Sequence, residues 1–139
     1  MKTESSAPAW WERLKNRAQS LGQPTVTYTV RHNDRGLTVE SFYNDGHLVR
    51  NELTWAEVDE AIAFKRDCIT VDLICIAFGN ESGGVEINEE MPEWNNIVKA
   101  LPDYLPGCLS QDSWFQQVAV PAFETNPVHI FRRQQQSVT

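Results

Sequence analysis

Residues 68–90, CITVDLICIAFGNESGGVEINEE, decide the fold. The run 69–78 is apolar on both faces. Ile69, Val71, Leu73 and Cys75 take one side, and Ile74, Ile76 and Phe78 take the other. Such a pattern belongs to a central strand covered above and below. Residues 79–84, rich in glycine, read as a loop, and Val85 and Ile87 as the inward positions of a returning strand. Asp72 stands inside the apolar run on the face of Ile74 and Ile76, and Glu89 and Glu90 follow the hairpin's far end.

Upstream, Thr54-Trp55-Ala56-Glu57 has the form of a capping box, in which the Thr hydroxyl and the Glu carboxylate would each take a free amide of a helix start. It predicts a helix over 55–66 that buries Trp55, Val58 and Ile62, shows Glu57, Asp59 and Glu60 to water, and closes on Lys65 and Arg66. Before it, 25–31 alternates cleanly, with Val26, Tyr28 and Val30 on one side. Turn residues at 33–36 and 44–46 then separate strands over 37–43 and 47–53, which together form a meander. Further upstream, residues 8–21 read as an amphipathic helix with Trp11, Leu14, Ala18 and Leu21 in one stripe. Trp10 lies about 100° from Trp11, which predicts that one of the two is exposed.

Downstream, Pro92 suits the first turn of a helix burying Trp94, Ile97, Val98 and Leu101, ended or kinked by Pro102 and Pro106-Gly107. A short helix over 112–118 and a last strand over 128–132 follow. The fold class is therefore α+β: an antiparallel sheet of five to six strands with helices packed on it, led by an amphipathic N-terminal helix. Residues 1–22 form that helix within the same domain, 23–133 complete a single α+β domain, and 134–139 read as a frayed tail.

Of the 139 residues, 41% are hydrophobic and 22% charged, a globular composition. No run is long enough for a membrane helix, and 1–15 lacks the apolar core of a secretory signal. Three cysteines at no metal-like spacing, Cys68, Cys75 and Cys108, fit a reducing, cytoplasmic setting. The net charge of −7 is uneven: residues 51–112 hold thirteen Asp and Glu against only Lys65, Arg66 and Lys99. That balance argues against nucleic acid, whose phosphates need clustered cations, and permits steering toward a basic partner.

Asp72 is the first candidate for chemistry. Buried and alone, a carboxylate would take up a proton, act as acid or base, or bind a metal. Paired with Lys65 or Arg66 at the strand entrance, it would be structural, and its position favours that reading. Glu86, Glu89, Glu90 and Glu93 supply four carboxylates in eight residues, but no calcium-loop or zinc spacing accompanies them. Glu89, Glu90 and Glu93 fit better as favourable charges at a helix N-terminus. His32, His47 and His129 are scattered and flank no nucleophile motif. No cofactor or metal motif is present.

Trp55, 63–67 (AFKRD), 70–74 (TVDLI), 88–94 (NEEMPEW), 105–107 (LPG), 121–123 (PAF) and Asn126 together resemble a group of small uncharacterised bacterial α+β proteins. In size, acidity and build the chain is similar to immunity proteins of bacterial toxin systems. The resemblance implies a bacterial cytoplasmic protein and transfers no catalytic residue. The expectation is a non-catalytic, immunity-like module presenting Glu57, Asp59, Glu60, Asp72, Glu89, Glu90 and Glu93 to a basic protein. The alternative is a small-ligand or enzymatic pocket around Asp72 and Lys65. A homodimer through an edge strand or the Trp10/Trp11 helix is a third possibility.

Overall fold

The computed structural model describes residues 9–15, 26–67, 72–121 and 125–133, without the side chains of Lys15 and Asp67. The expectations placed on Pro8, Ala18, Leu21, Cys68, Ile69, Val71 and Phe123, and on the tail 134–139, fall outside these residues.

The chain is α+β, and its seven strands form two antiparallel sheets rather than one of five or six. The first sheet is the expected meander: β1 (Val26–His32), β2 (Gly36–Tyr43) and β3 (Leu48–Thr54), in that order. The Asn33 carboxamide oxygen accepts the amides of Arg35 and Gly36 at 2.8 and 3.1 Å and so shapes the first turn. At the second, Gly46 takes the positive φ of 97° that a Cβ would resist.

The second sheet runs β6–β5–β4–β7, built from β4 (Glu60–Asp67), β5 (Asp72–Asn80), β6 (Gly83–Asn88) and β7 (Val128–Arg132). Here lies the main correction. The expected helix over 55–66 is one 3₁₀ turn, Trp55–Glu57, followed by strand β4, and the Thr54 side chain makes no cap bond. Ala61 and Ala63 bury against one layer, and Ile62 and Phe64 bury against the other. β5 pairs along all of β4, β7 pairs along Glu60–Ala63, and residues 61–64 find apolar cover on both faces. That tertiary gain outweighs a helix preference of at most about 0.7 kcal/mol per residue. β5 and β6 also extend into the glycine-rich segment expected as a loop, leaving a two-residue turn at Glu81 and Ser82.

Each face of this sheet has its own core. On one side, Val30, Leu37 and Val39 of the first sheet join Trp55 and the helices α2 (Trp94–Tyr104) and α3 (Gln111–Ala119) over Ile74, Ile76 and Phe78. α2 buries Trp94, Ile97, Val98 and Leu101 as expected, and continues through Pro102.

On the other side, helix α1 (Ala9–Lys15) lays Trp10, Trp11 and Leu14 on Ile62, Phe64, Leu73, Cys75 and Ala77. Both tryptophans are buried, at 4% and 3% exposure, so neither is the exposed one expected. Space for the second ring comes from Gly79 and Gly84, which face each other across β5 and β6. A Cβ on either would lie 2.2 or 2.7 Å from the Trp10 indole. Trp11 meets Phe64 edge-on at 4.7 Å, and the Arg66 guanidinium donates to the Leu14 carbonyl at 2.8 Å. A seven-residue helix is not stable alone in water, so this docking is what keeps α1 helical.

Candidate functional site

The carboxylates singled out in the sequence separate into two groups at opposite ends of β5. The Asp59 amide bonds to the Gly79 carbonyl, whereas the Glu89 amide bonds to that of Ile74. Five residues of strand, about 17 Å, lie between them.

At the Gly79 end, a groove of about 610 Å³ opens between β3 and the β5–β6 hairpin. Glu52, Glu57, Asp59 and Glu81 line it, and no Lys, Arg or His does. A second cleft of about 760 Å³ shares Glu52, Leu53, Thr54 and Glu57 with the first, so the two are contiguous around the end of β3. That second cleft is mixed in charge, adding Arg31, His32, Arg35 and Glu93. Both form where β3 meets the second sheet without pairing to it: six of its seven residues are exposed, and only Leu53 is half-buried. Glu60 stands at this end but is committed, its Oε2 lying 3.1 Å from Arg132 Nε and 3.3 Å from His129 Nδ1.

The mixed cleft contains the most ordered polar cluster. His32 Nε2 lies 3.0 Å from Glu93 Oε1, and its Nδ1 lies 2.7 Å from the Tyr104 hydroxyl. An ionised Glu only accepts, so Nε2 carries a ring proton. Nδ1 shares the second hydrogen bond with the Tyr104 hydroxyl, which can donate or accept. Asn96 donates to the same Glu93 oxygen, and these two donors, Asn96 first, hold the Glu93 carboxyl below the usual range. Burial pushes the Tyr104 phenol up, with Asp34, Asp103 and Glu93 adding to it. Glu93 itself precedes α2 in the left-handed region, φ 71°, a conformation a Glu holds only when its surroundings fix it. With both ring nitrogens engaged, His32 presents no lone pair to a substrate. Its chemistry here is to clamp β1 to the start and end of α2.

At the Ile74 end, Glu89 accepts the Ile74 amide at 2.9 Å, and Glu90 is exposed. Asp72 meets Lys65, Nζ to Oδ2 at 3.3 Å, as the structural alternative expected. The Lys65 ammonium is 2% exposed and also donates to the carbonyls of Ala119 (2.7 Å) and Pro121 (2.5 Å). It therefore holds the C-terminus of α3, where a cation is favoured by the helix dipole. Neither cleft includes Asp72 or Lys65 among its lining residues. The neighbouring Arg66 grips Glu86 with two bonds of 2.8 and 2.7 Å. Glu86 is thus part of the fold's frame.

Among the described residues no three His, Cys, Asp or Glu side chains come together as a metal site, and no helix is long and apolar enough to cross a membrane. Cys75 and Cys108 are free thiols, and burial pushes the Cys108 thiol up to about 12. A thiol held neutral in this way is a poor nucleophile.

His32 and Tyr104 were absent from the sequence candidates because 72 residues separate them, and no local spacing announces a cluster assembled by tertiary contact. Glu52 and Glu81 were missed because each is a single acidic residue within a strand or turn segment, with no other charge beside it in sequence. Compared with known proteins, the chain matches no family model, no curated protein and no solved structure.

Proposed function

We propose that the protein is a non-catalytic binding module that receives a basic protein surface on the acidic rim at the Gly79 end of its second sheet. The observation that carries this reading is the groove whose charged lining residues are four carboxylates and no cation: Glu52, Glu57, Asp59 and Glu81. Glu52 is reached by Arg50 at 3.8 Å, while Glu57, Asp59 and Glu81 carry most of the field. Carboxylates of one sign around a concave surface speed encounter with a cation-rich partner. Of the carboxylates expected to bind, Glu57 and Asp59 belong to this rim. Glu60 and Asp72 are held in ion pairs, Glu89 in a backbone bond and Glu93 in the His32 clamp, while Glu90 lies at the other end. The reading keeps the likeness to immunity proteins of bacterial toxin systems and places the module in a bacterial cytoplasm, a compartment with which the free thiols of Cys75 and Cys108 agree.

The test compares the native protein with Glu57→Gln/Asp59→Asn/Glu81→Gln in a pull-down washed over a salt ladder. The expected result is one basic protein retained by the native chain, shed steeply as salt rises, and lost from the triple variant. Equal capture by both would overturn the assignment of the rim.

A further inference from the structure

We infer that β3 is a self-complementary edge through which two copies of this chain pair antiparallel, joining their three-stranded sheets into one of six. This surface adjoins the Glu57, Asp59 and Glu81 part of the rim, and Asn51, Glu52, Leu53 and Thr54 belong to both.

Three observations carry it. First, β3 pairs only with β2, and among the described residues no strand is hydrogen-bonded to its other edge, which faces β6 across the groove. The Tyr43 amide bonds to the His47 carbonyl, and the Trp55 amide to that of Arg35. Antiparallel alternation between those two points turns the backbone groups of Val49, Asn51 and Leu53 toward β2. Those of Leu48, Arg50, Glu52 and Thr54 point outward. Second, β3 is exposed on both faces, including Leu48 at 48% and Val49 at 37%. Long edges with apolar side chains normally are covered or blunted.

Third, the side chains choose one register. Two copies related by a two-fold axis must match outward groups with outward groups, so the axis passes through a residue. Centred on Arg50 it would oppose two arginines, and centred on Glu52, two glutamates. Centred on Asn51 it sets Arg50 against Glu52 of the second copy, twice, and Val49 against Leu53, twice. Opposite charges directly across a strand pair are favourable and like charges are not. Arg50 is already extended over this face, bound to the buried Glu40 at 2.6 Å and reaching Glu52 at 3.8 Å.

The test is sedimentation velocity from micromolar to sub-millimolar concentration, with cysteine cross-linking. The mass is expected to rise with concentration from 15.9 kDa toward twice that value. Glu52→Arg should remain a monomer at concentrations where the native chain pairs, and Arg50→Glu/Glu52→Arg should pair again. Because Arg50 also holds Glu40, a second set of variants leaves that pair intact. Asn51→Cys lies opposite itself in the proposed register, with Cα atoms about 4.5 Å apart, and should form an intermolecular disulfide on mild oxidation. Leu48→Cys, whose mate would be Thr54, and Thr27→Cys on β1 should not. A monomer at every concentration, or equal cross-linking at all three positions, would overturn the proposal and leave Arg50 and Glu52 as charges that merely protect an edge.

Discussion

β3 and β5 are both strands in antiparallel sheets, yet they share almost nothing in their surroundings. β5 (DLICIAFGN) has seven consecutive buried residues and a neighbour on each side, with cores above and below. β3 (LVRNELT) has one neighbour and one half-buried residue. A backbone ladder alone is therefore enough to fix the shape of a strand, while burial decides how much of the fold depends on it. Stability is concentrated around β4 and β5, and the surface available for binding is concentrated around β3.

Substitutions should separate the two regions by an order of magnitude. The largest effect is expected at Lys65→Met, which removes the cation that Asp72 and the carbonyls of Ala119, at the end of α3, and Pro121, just beyond it, share. Breaking a buried pair in this way costs about 3–5 kcal/mol, read as a fall in the denaturant midpoint. Ile76→Ala, in the core between β5 and the helices, should cost about 2–5 kcal/mol by the same readout. Gly79→Ala tests the close approach of α1. The added methyl meets the Trp10 indole, so a loss of about 1–3 kcal/mol is expected, with a red shift of tryptophan emission as the ring is displaced. Val49→Ala on β3, measured in dilute solution, should fall within about 0.5 kcal/mol of the native chain. An effect at Val49 as large as that at Ile76 would break the comparison.

A further expected effect is a pH slope. The folded state keeps the Cys108 thiol protonated to about 12, against an ordinary value of 9.0. The folded protein thus binds more protons than the unfolded chain in that window, and stability is full below about pH 9 and declines as pH rises toward 12. Cys108→Ala should flatten that slope. On the acid side the sign reverses. Arg50 holds the Glu40 carboxyl below the usual range, so its contribution is present above the ordinary carboxylate pKa and is lost as pH falls through the lowered value.

β1 and α2 were legible because each follows one clear period, two for Val26, Tyr28 and Val30 and 3.6 for Trp94, Ile97, Val98 and Leu101, and β5 because it is an unbroken apolar run. β4 was not. Glu60, Ala61, Ala63, Lys65 and Arg66 are good helix formers behind what reads as a helix start, and the alternation of Ala61 and Ala63 with Ile62 and Phe64 becomes meaningful only once both sheet faces are covered. Trp10 and Trp11 were read as competing for one stripe because nothing near them in sequence hints at the glycine pair some seventy residues away that accommodates the second ring. Of the candidate site, Glu57 and Asp59 were visible as exposed charge. The groove around them exists only through the divergence of β3 from the β5–β6 hairpin, a property of tertiary arrangement.

The seat of Trp10 on Gly79 and Gly84 also imposes an order on the making of the protein. Helix α1 is synthesised before its floor, which is complete only once Gly84 has been added, 69 residues after Lys15. At about 5–20 residues per second that interval is on the order of several seconds. Throughout it, two tryptophans and a leucine have no docking site, so the nascent chain carries an adhesive segment that chaperones or a neighbouring nascent copy can reach before the fold does.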